Sequence, residues 1–104
     1  MEMKVFDSGA KSAVEKPRYD LVPLSALRRL AERFGYGASR HGEGNYRNGA
    51  NDAAFLRDRK NHLIEHAVKY ANGDRSEDHL GAILCNAAIL ADLEQIADDA
   101  GDQS

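Results

Sequence analysis

His62 and His66 stand four residues apart in RKNHLIEHAVK, with Arg59 three residues before the first and Lys69 three residues after the second. On a helix this spacing lines the four side chains along one side. A ladder of cationic and nitrogen donors suits phosphate, through charge-assisted hydrogen bonds. A histidine pair at this spacing also suits a transition metal. A solvated face carrying two ordinary histidines fits the same letters, and the sequence leaves all three readings open.

Asn86 interrupts the apolar run AILCNAAILADL. A buried amide costs a few kcal/mol, on the order of the value for transfer without a hydrogen bond, unless it finds a partner. Asn86 must therefore meet another helix or a ligand. His79 lies two turns earlier on the same side. Cys85, in the same run, reads as a small buried hydrophobe rather than a nucleophile.

GEGNYRNG, from Gly42 to Gly49, reads as a glycine-rich loop carrying Asn45, Tyr46 and Arg47. Glycines let backbone N–H groups approach a ligand closely. Arg18, Arg40 and Arg47 are candidates to converge with His66 on an anion through this loop. The acidic candidates are Glu65, Asp74, Glu77 and Asp78. Divalent-metal chemistry on phosphates needs several convergent carboxylates. The E-x-x-E and E-x-x-D pairs that would supply them on separate helices do not occur here. Glu77 and Asp78 read more simply as a charged first helical turn. A Walker A loop, a G-x-S-x-G elbow, an H-E-x-x-H helix and a C-x-x-C pair are all missing.

Three helices must position these residues. Leu24, Leu27, Leu30, Ala31 and Phe34 repeat at helical spacing. The first helix is expected to begin at Pro23 and to stop at Gly35 and Gly37. The second is expected from about Asp52 to Asn72, with Asn51 or Asp52 as cap, Leu56, Leu63, Ala67 and Tyr70 as its apolar stripe, and Gly73 as terminator. The third is expected from about Glu77 to Asp98, capped by Ser76. Its apolar face is Leu80, Ile83, Leu84, Ala87, Leu90, Ala91 and Ile96. Residues 1–16 read as an irregular lead-in, with Val5 and Phe6 suited to an edge strand, and 98–104 as a frayed acidic tail. The expectation is an all-α fold of three main helices, with a short extended N-terminal segment, in one domain of 104 residues.

The net charge of -3 hides a segregation. From Arg28 to Lys60 there are eight basic residues against four acidic ones, and after Asn86 five acidic and no basic ones. A local positive field in an acidic chain suits a small anion better than long nucleic acid. Hydrophobic residues at 42% and charged residues at 30% make an ordinary globular balance. A lone cysteine excludes an intrachain disulfide. No signal peptide is recognisable, no stretch reads as the roughly 18 apolar residues of a membrane span, and the cytoplasm is the expected compartment. A thin core and a third helix apolar over a wide arc point to a homo-oligomer.

The order KPRYDLVPLSAL, GYGASRHGEGNYRNG, IEHAVKYANGD and DHLGAILCNAAIL, from Lys16 to about Glu94, resembles the N-terminal domain family of phage dATP/dGTP diphosphohydrolases. Carried over by position, the resemblance picks out Lys16, Arg18, Gly37, Gly42, Asn45, Tyr46, His66, His79 and Asn86. It implies a phosphorylated or cyclic nucleotide as partner, phage nucleotide metabolism in the host cytoplasm, and Mg or Mn if the chain is catalytic. Together with the residue pattern it gives a candidate ligand-binding set of Lys16, Arg18, Arg40, Asn45, Tyr46, Arg47, His62, His66, His79 and Asn86. Three functions remain open: nucleotide binding with metal-assisted diphosphate hydrolysis, a non-catalytic sponge that sequesters a nucleotide signal, and a structural oligomerisation module.

Overall fold

The computed structural model describes residues 3–13 and 16–102. Residues 1, 2, 14 and 15 of the expected lead-in, and 103 and 104 of the expected tail, lie outside the described residues. The fold is mostly helical, with three helices and little strand.

The lead-in holds a short hairpin. β1 (Met3–Val5) pairs antiparallel with β2 (Lys11–Ala13), with Met3 opposite Ala13 and Val5 opposite Lys11. Phe6 closes the turn, its N–H donating to the Ala10 carbonyl at 2.7 Å. A one-turn 3-10 helix at Tyr19–Leu21 then leads into α1 (Leu24–His41).

Pro23 stands just before α1 rather than inside it, and its carbonyl accepts the Leu27 N–H at 3.1 Å. Gly35 and Gly37 do not stop this helix, which runs six residues past Gly35 to His41. Both glycines keep negative φ, and the stop falls at Gly42, whose φ is 95°. Continued hydrogen bonding on either side outweighs the roughly 1 kcal/mol that an interior glycine costs. The glycine-rich segment then winds into a 3-10 helix at Asn45–Gly49 instead of remaining an open loop.

α2 (Ala53–Ala71) is capped as expected. The Asp52 carboxylate accepts the N–H groups of Ala54 at 3.1 Å and Phe55 at 3.2 Å. It ends in a Schellman motif. The Gly73 N–H reaches the Tyr70 carbonyl and the Asp74 N–H the Lys69 carbonyl, each at 3.0 Å. Gly73 takes φ 84°, which a residue with a Cβ rarely adopts. That turn delivers Asp74 to the start of the last helix.

α3 (His79–Asp102) begins two residues later than Glu77 and runs past Asp98. Asp78, not Ser76, covers its first turn, with Oδ1 accepting the Gly81 N–H at 3.1 Å and the carbonyl accepting Ala82 N–H. Ser76 instead bonds back to Asp74. α3 is the central element and packs against both α1 and α2. The face it buries there is His79, Ala82, Asn86, Ile89 and Leu93, an alternating three-and-four spacing. This is not the more apolar face through Leu84, Ala87 and Ala91, which stays exposed. Within His79–Gly101 an 18-residue window reaches a mean hydropathy of 1.4, so by length and composition α3 meets the requirement for a membrane span, although Asn86 and Asp92 interrupt its apolar run. Only 28% of that window is buried, so packing against α1 and α2 through a stripe that includes His79 and Asn86 leaves most of its apolar surface uncovered.

Candidate functional site

α1, the 3-10 turn, α2 and α3 surround a cavity of about 440 Å³. That volume lies in the range of small-ligand sites, about 300–1,000 Å³. Its wall is built of aromatic rings and cations. α1 gives Arg33, Phe34, Tyr36 and His41; the turn gives Asn45 and Tyr46; α2 gives Phe55, Arg59, His62 and His66; α3 gives Cys85 and Asn86. None of the lining residues is an aspartate or glutamate.

The rings are held in place. Phe34 and Tyr46 meet edge to face, with centroids 6.0 Å apart at 63°. The Tyr46 hydroxyl donates to Asp92 Oδ2 on α3. That bond, with partial burial, raises the phenol above its ordinary pKa, so it stays a neutral donor. Phe55 packs closely against Gly49, where any Cβ would overlap its ring.

Two arginines reach the wall from opposite helices. Arg33 Nη2 donates to Glu77 Oε1 at 3.2 Å and to the Asp78 carbonyl at 2.8 Å, tying α1 to the start of α3. Arg59 stacks over Phe55 at 5.5 Å and donates from Nη1 to Asn86 Oδ1 at 3.3 Å and from Nη2 to Asp58 Oδ2 at 2.9 Å. Its buried Nε–H has no hydrogen-bond acceptor among the described residues. Asn86 is buried, and its amide N–H donates to the Ala82 carbonyl at 2.9 Å. It therefore serves as an interhelical link and as part of the cavity wall at once.

His66 lines the cavity from the side nearest α3. Its Nδ1 lies 2.9 Å from Nδ1 of His79, which is almost fully buried behind it. Burial holds His66 below its ordinary pKa, with the Arg33 guanidinium and His79 acting in the same direction and Glu77 opposing them. His79 Nε2 bonds Asp74 Oδ2 at 2.7 Å. This bond, with those from the Ser76 N–H and hydroxyl, holds the Asp74 carboxyl down at about 2.

Of the ten candidate residues, the cavity brings together Asn45, Tyr46, His62, His66 and Asn86. His79 stands behind His66, on a second groove with Asp74, Glu77 and Asp78. Lys16 is exposed and away from the cavity wall. Arg18 is engaged by Asp20 in a two-pronged ion pair, with bonds of 2.8 and 2.7 Å. Arg40 turns back onto Tyr36, bonding its hydroxyl at 2.6 Å. Arg47 pairs with Asp92 at 3.4 Å. These three arginines do not line the cavity; Arg33 and Arg59 do. In the sequence Arg33 is only one of the eight basic residues between Arg28 and Lys60. Its signal is position: one turn past Leu30 it shares a side with Gly37, which also lines the cavity. Phe34 and Phe55 look like ordinary core residues in sequence, and only their placement makes them part of a wall.

A bundle of three helices around a cavity of rings and cations is the class that this geometry defines. The chain belongs to the family described as dATP/dGTP diphosphohydrolase, N-terminal, whose model matches residues 7–103. No curated protein and no solved structure matches it.

Proposed function

We propose that the protein binds a phosphorylated nucleotide in this cavity, with the base against Phe34, Tyr46 and Phe55 and the phosphates toward Arg33, Arg59 and His66. The observation that carries the reading is a wall of rings and cations without a carboxylate, with Arg33 and Arg59 reaching it from α1 and α2. The accessible part of the Arg59 guanidinium would offer a phosphate oxygen a charge-assisted bond. Aromatic faces stack on any base. The family to which the chain belongs supports a nucleoside phosphate as the ligand class. The proposed setting is nucleotide metabolism in the cytoplasm of a phage-infected bacterium.

Metal-assisted hydrolysis of the diphosphate, with Mg or Mn, is the second reading, and the family description favours it. The carboxylate-free wall favours holding the nucleotide intact, as a sequestering protein would, because magnesium at phosphates is usually carried by acidic side chains. The test is titration with a panel of deoxynucleoside triphosphates and cyclic nucleotides, with and without Mg2+ or Mn2+. Chromatography of the recovered ligand separates the two outcomes. The binding reading fails if no nucleotide saturates the protein, or if Arg33→Ala and Arg59→Ala both bind like the parent.

A further inference from the structure

His66, Glu77 and His79 come from three places: α2, the segment before α3, and the first residue of α3. One donor atom from each lies within 4.8 Å of the other two. The imidazoles face each other through Nδ1 at 2.9 Å, and Glu77 Oε1 lies 3.9 Å from His66 Nδ1. Two nitrogens on one tetrahedral zinc ion stand about 3.3 Å apart at the usual Zn–N length. The histidine pair need open only slightly to reach that spacing, and Glu77 need close slightly.

What stands behind the cluster points the same way. His79 Nε2 is bonded to the Asp74 carboxylate at 2.7 Å. A neutral His79 that donates from Nε2 presents a bare Nδ1 toward His66. A carboxylate behind the imidazole is the usual outer support of a metal-bound histidine, fixing both tautomer and ring orientation. Asp74 is itself fixed by Ser76 and by the turn at Gly73. Arg33 Nη2 shares the Glu77 oxygen at 3.2 Å and opposes a nearby cation. Asp74 and Asp78 supply the compensating negative charge.

We propose that His66, Glu77 and His79 bind one divalent transition-metal ion of the zinc class, with two imidazole nitrogens, one carboxylate oxygen and a fourth position open. Two imidazoles select Zn2+ or Co2+ over Mg2+. The ion would clip α2 to the start of α3, at the edge of the cavity that His66 also lines. The inference goes beyond nucleotide binding and does not depend on it, because the metal alone is the probe.

The experiment is titration of the chelator-treated full chain with Zn2+ by calorimetry and with Co2+ by visible absorption, followed by thermal melts. The expected result is one ion per chain, the absorption of a tetrahedral Co2+ site, and a raised melting temperature. His66→Ala and His79→Ala should abolish the site. Asp74→Asn should weaken it about 10- to 100-fold, the usual loss for an outer-shell partner. His62→Ala should leave it unchanged, since His62 Nε2 lies 3.6 Å from Asp58. Should His79→Ala fail to fold, the exposed Glu77→Gln decides, with an expected loss of at least tenfold. The proposal is overturned by the absence of saturable metal binding, by binding that persists in His66→Ala and Glu77→Gln, or by loss of the site in His62→Ala, which would place the ion on the α2 histidine pair instead.

Discussion

Arg59 donates from Nη1 to Asn86 Oδ1 at 3.3 Å, joining α2 to α3 inside the cavity wall. The amide of Asn86 is otherwise spent on its own helix, through the Ala82 carbonyl. One asparagine thus settles its buried polarity and orients the arginine whose Nε–H has no acceptor among the described residues. An interhelical bond and a ligand-facing position are the same bond here.

Asn86→Leu should therefore change two things together. It strands the Arg59 Nη1–H beside an Nε–H that already lacks a partner. Leaving a buried donor unsatisfied costs about 1–3 kcal/mol, so the melting temperature should fall while the helical spectrum survives. Nucleotide affinity should fall as well, because Arg59 loses its tether. Paired thermal melts and titrations check this. A variant that melts lower yet binds like the parent would show that Arg59 is placed by other contacts.

The arginines divide by where they point. Arg33→Ala or Arg59→Ala should each weaken nucleotide binding by at least about tenfold, since a charge-assisted hydrogen bond contributes about 1.5–3 kcal/mol and about 1.4 kcal/mol is one decade. His66→Ala should weaken it too. Arg18→Ala, Arg40→Ala and Arg47→Ala should cost less, because none of the three lines the cavity and each is already engaged, by Asp20, by the Tyr36 hydroxyl and by Asp92. Titrations at low and high salt make the comparison, with binding expected to weaken as screening grows. A reversed ranking would move the site to the outer arginines.

The contrast between these two sets marks how far the sequence could be read. Helical spacing and glycine stops are local signals, so three helices, the Asp52 cap and the Gly73 stop were legible. Which face of α3 is buried was not. The letters favour the side through Leu80, Leu84, Ala87 and Ala91, yet the chain buries His79, Ala82, Asn86, Ile89 and Leu93. The polar members of that stripe are bonded to Asp74, in the turn before α3, and to Arg59 on α2, partners outside the helix, so periodicity cannot count them as core. The site shows the same split. His66 and Asn86 announced themselves by type. Arg59 stood out by its spacing from His62 and His66, whereas Arg33 became a wall residue only because α1 packs against α3.

Gly35 and Gly37 lie inside α1 at helical φ, and a Cβ at either would meet no atom within 4 Å. Gly35 lies off the cavity wall and Gly37 on it. Gly35→Ala should stabilise the protein by about 0.5–1 kcal/mol, the ordinary gain for alanine over glycine in a helix interior. Gly37→Ala should gain similarly in stability but lose nucleotide affinity, because its methyl group enters the cavity. Denaturant unfolding and titration of both variants check this. Equal affinity in the two would remove Gly37 from the binding wall.

Cys85 lines the cavity half-buried, and burial raises its thiol above the ordinary pKa despite Arg33 and Arg59 nearby. Less thiolate forms at mildly alkaline pH, and the thiolate is the reactive form. Alkylation at pH 8 should therefore run several-fold slower than for a free cysteine, on the order expected from a lower thiolate fraction. It should slow further when nucleotide fills the cavity. Mass spectrometry of the time course reads both effects. Alkylation as fast as free cysteine, unaffected by nucleotide, would place the thiol outside the cavity.

Among the described residues only Ala82, Ile89 and Leu93 are buried apolar side chains, while Leu24 is 80% exposed, Ile64 61% and Val68 53%. Leu84, on the more apolar face of α3, is also exposed. With so few buried apolar side chains a chain of this size has a thin core, which further apolar burial would strengthen. We propose that a second copy covers these residues. Like patches meeting about a two-fold axis suit an isologous homodimer, the commonest closed assembly. Light scattering at micromolar concentration should return a multiple of the 11.4 kDa chain mass. Leu84→Glu and Ile64→Glu should each shift the mass toward the monomer and lower the melting temperature, since each buries a charge without a partner in the assembly. The assembly should also survive high salt that weakens nucleotide binding, because apolar burial is not screened as ion contacts are. A monomer mass for the parent chain under these conditions would refute the assembly and leave the exposed face unexplained by self-association.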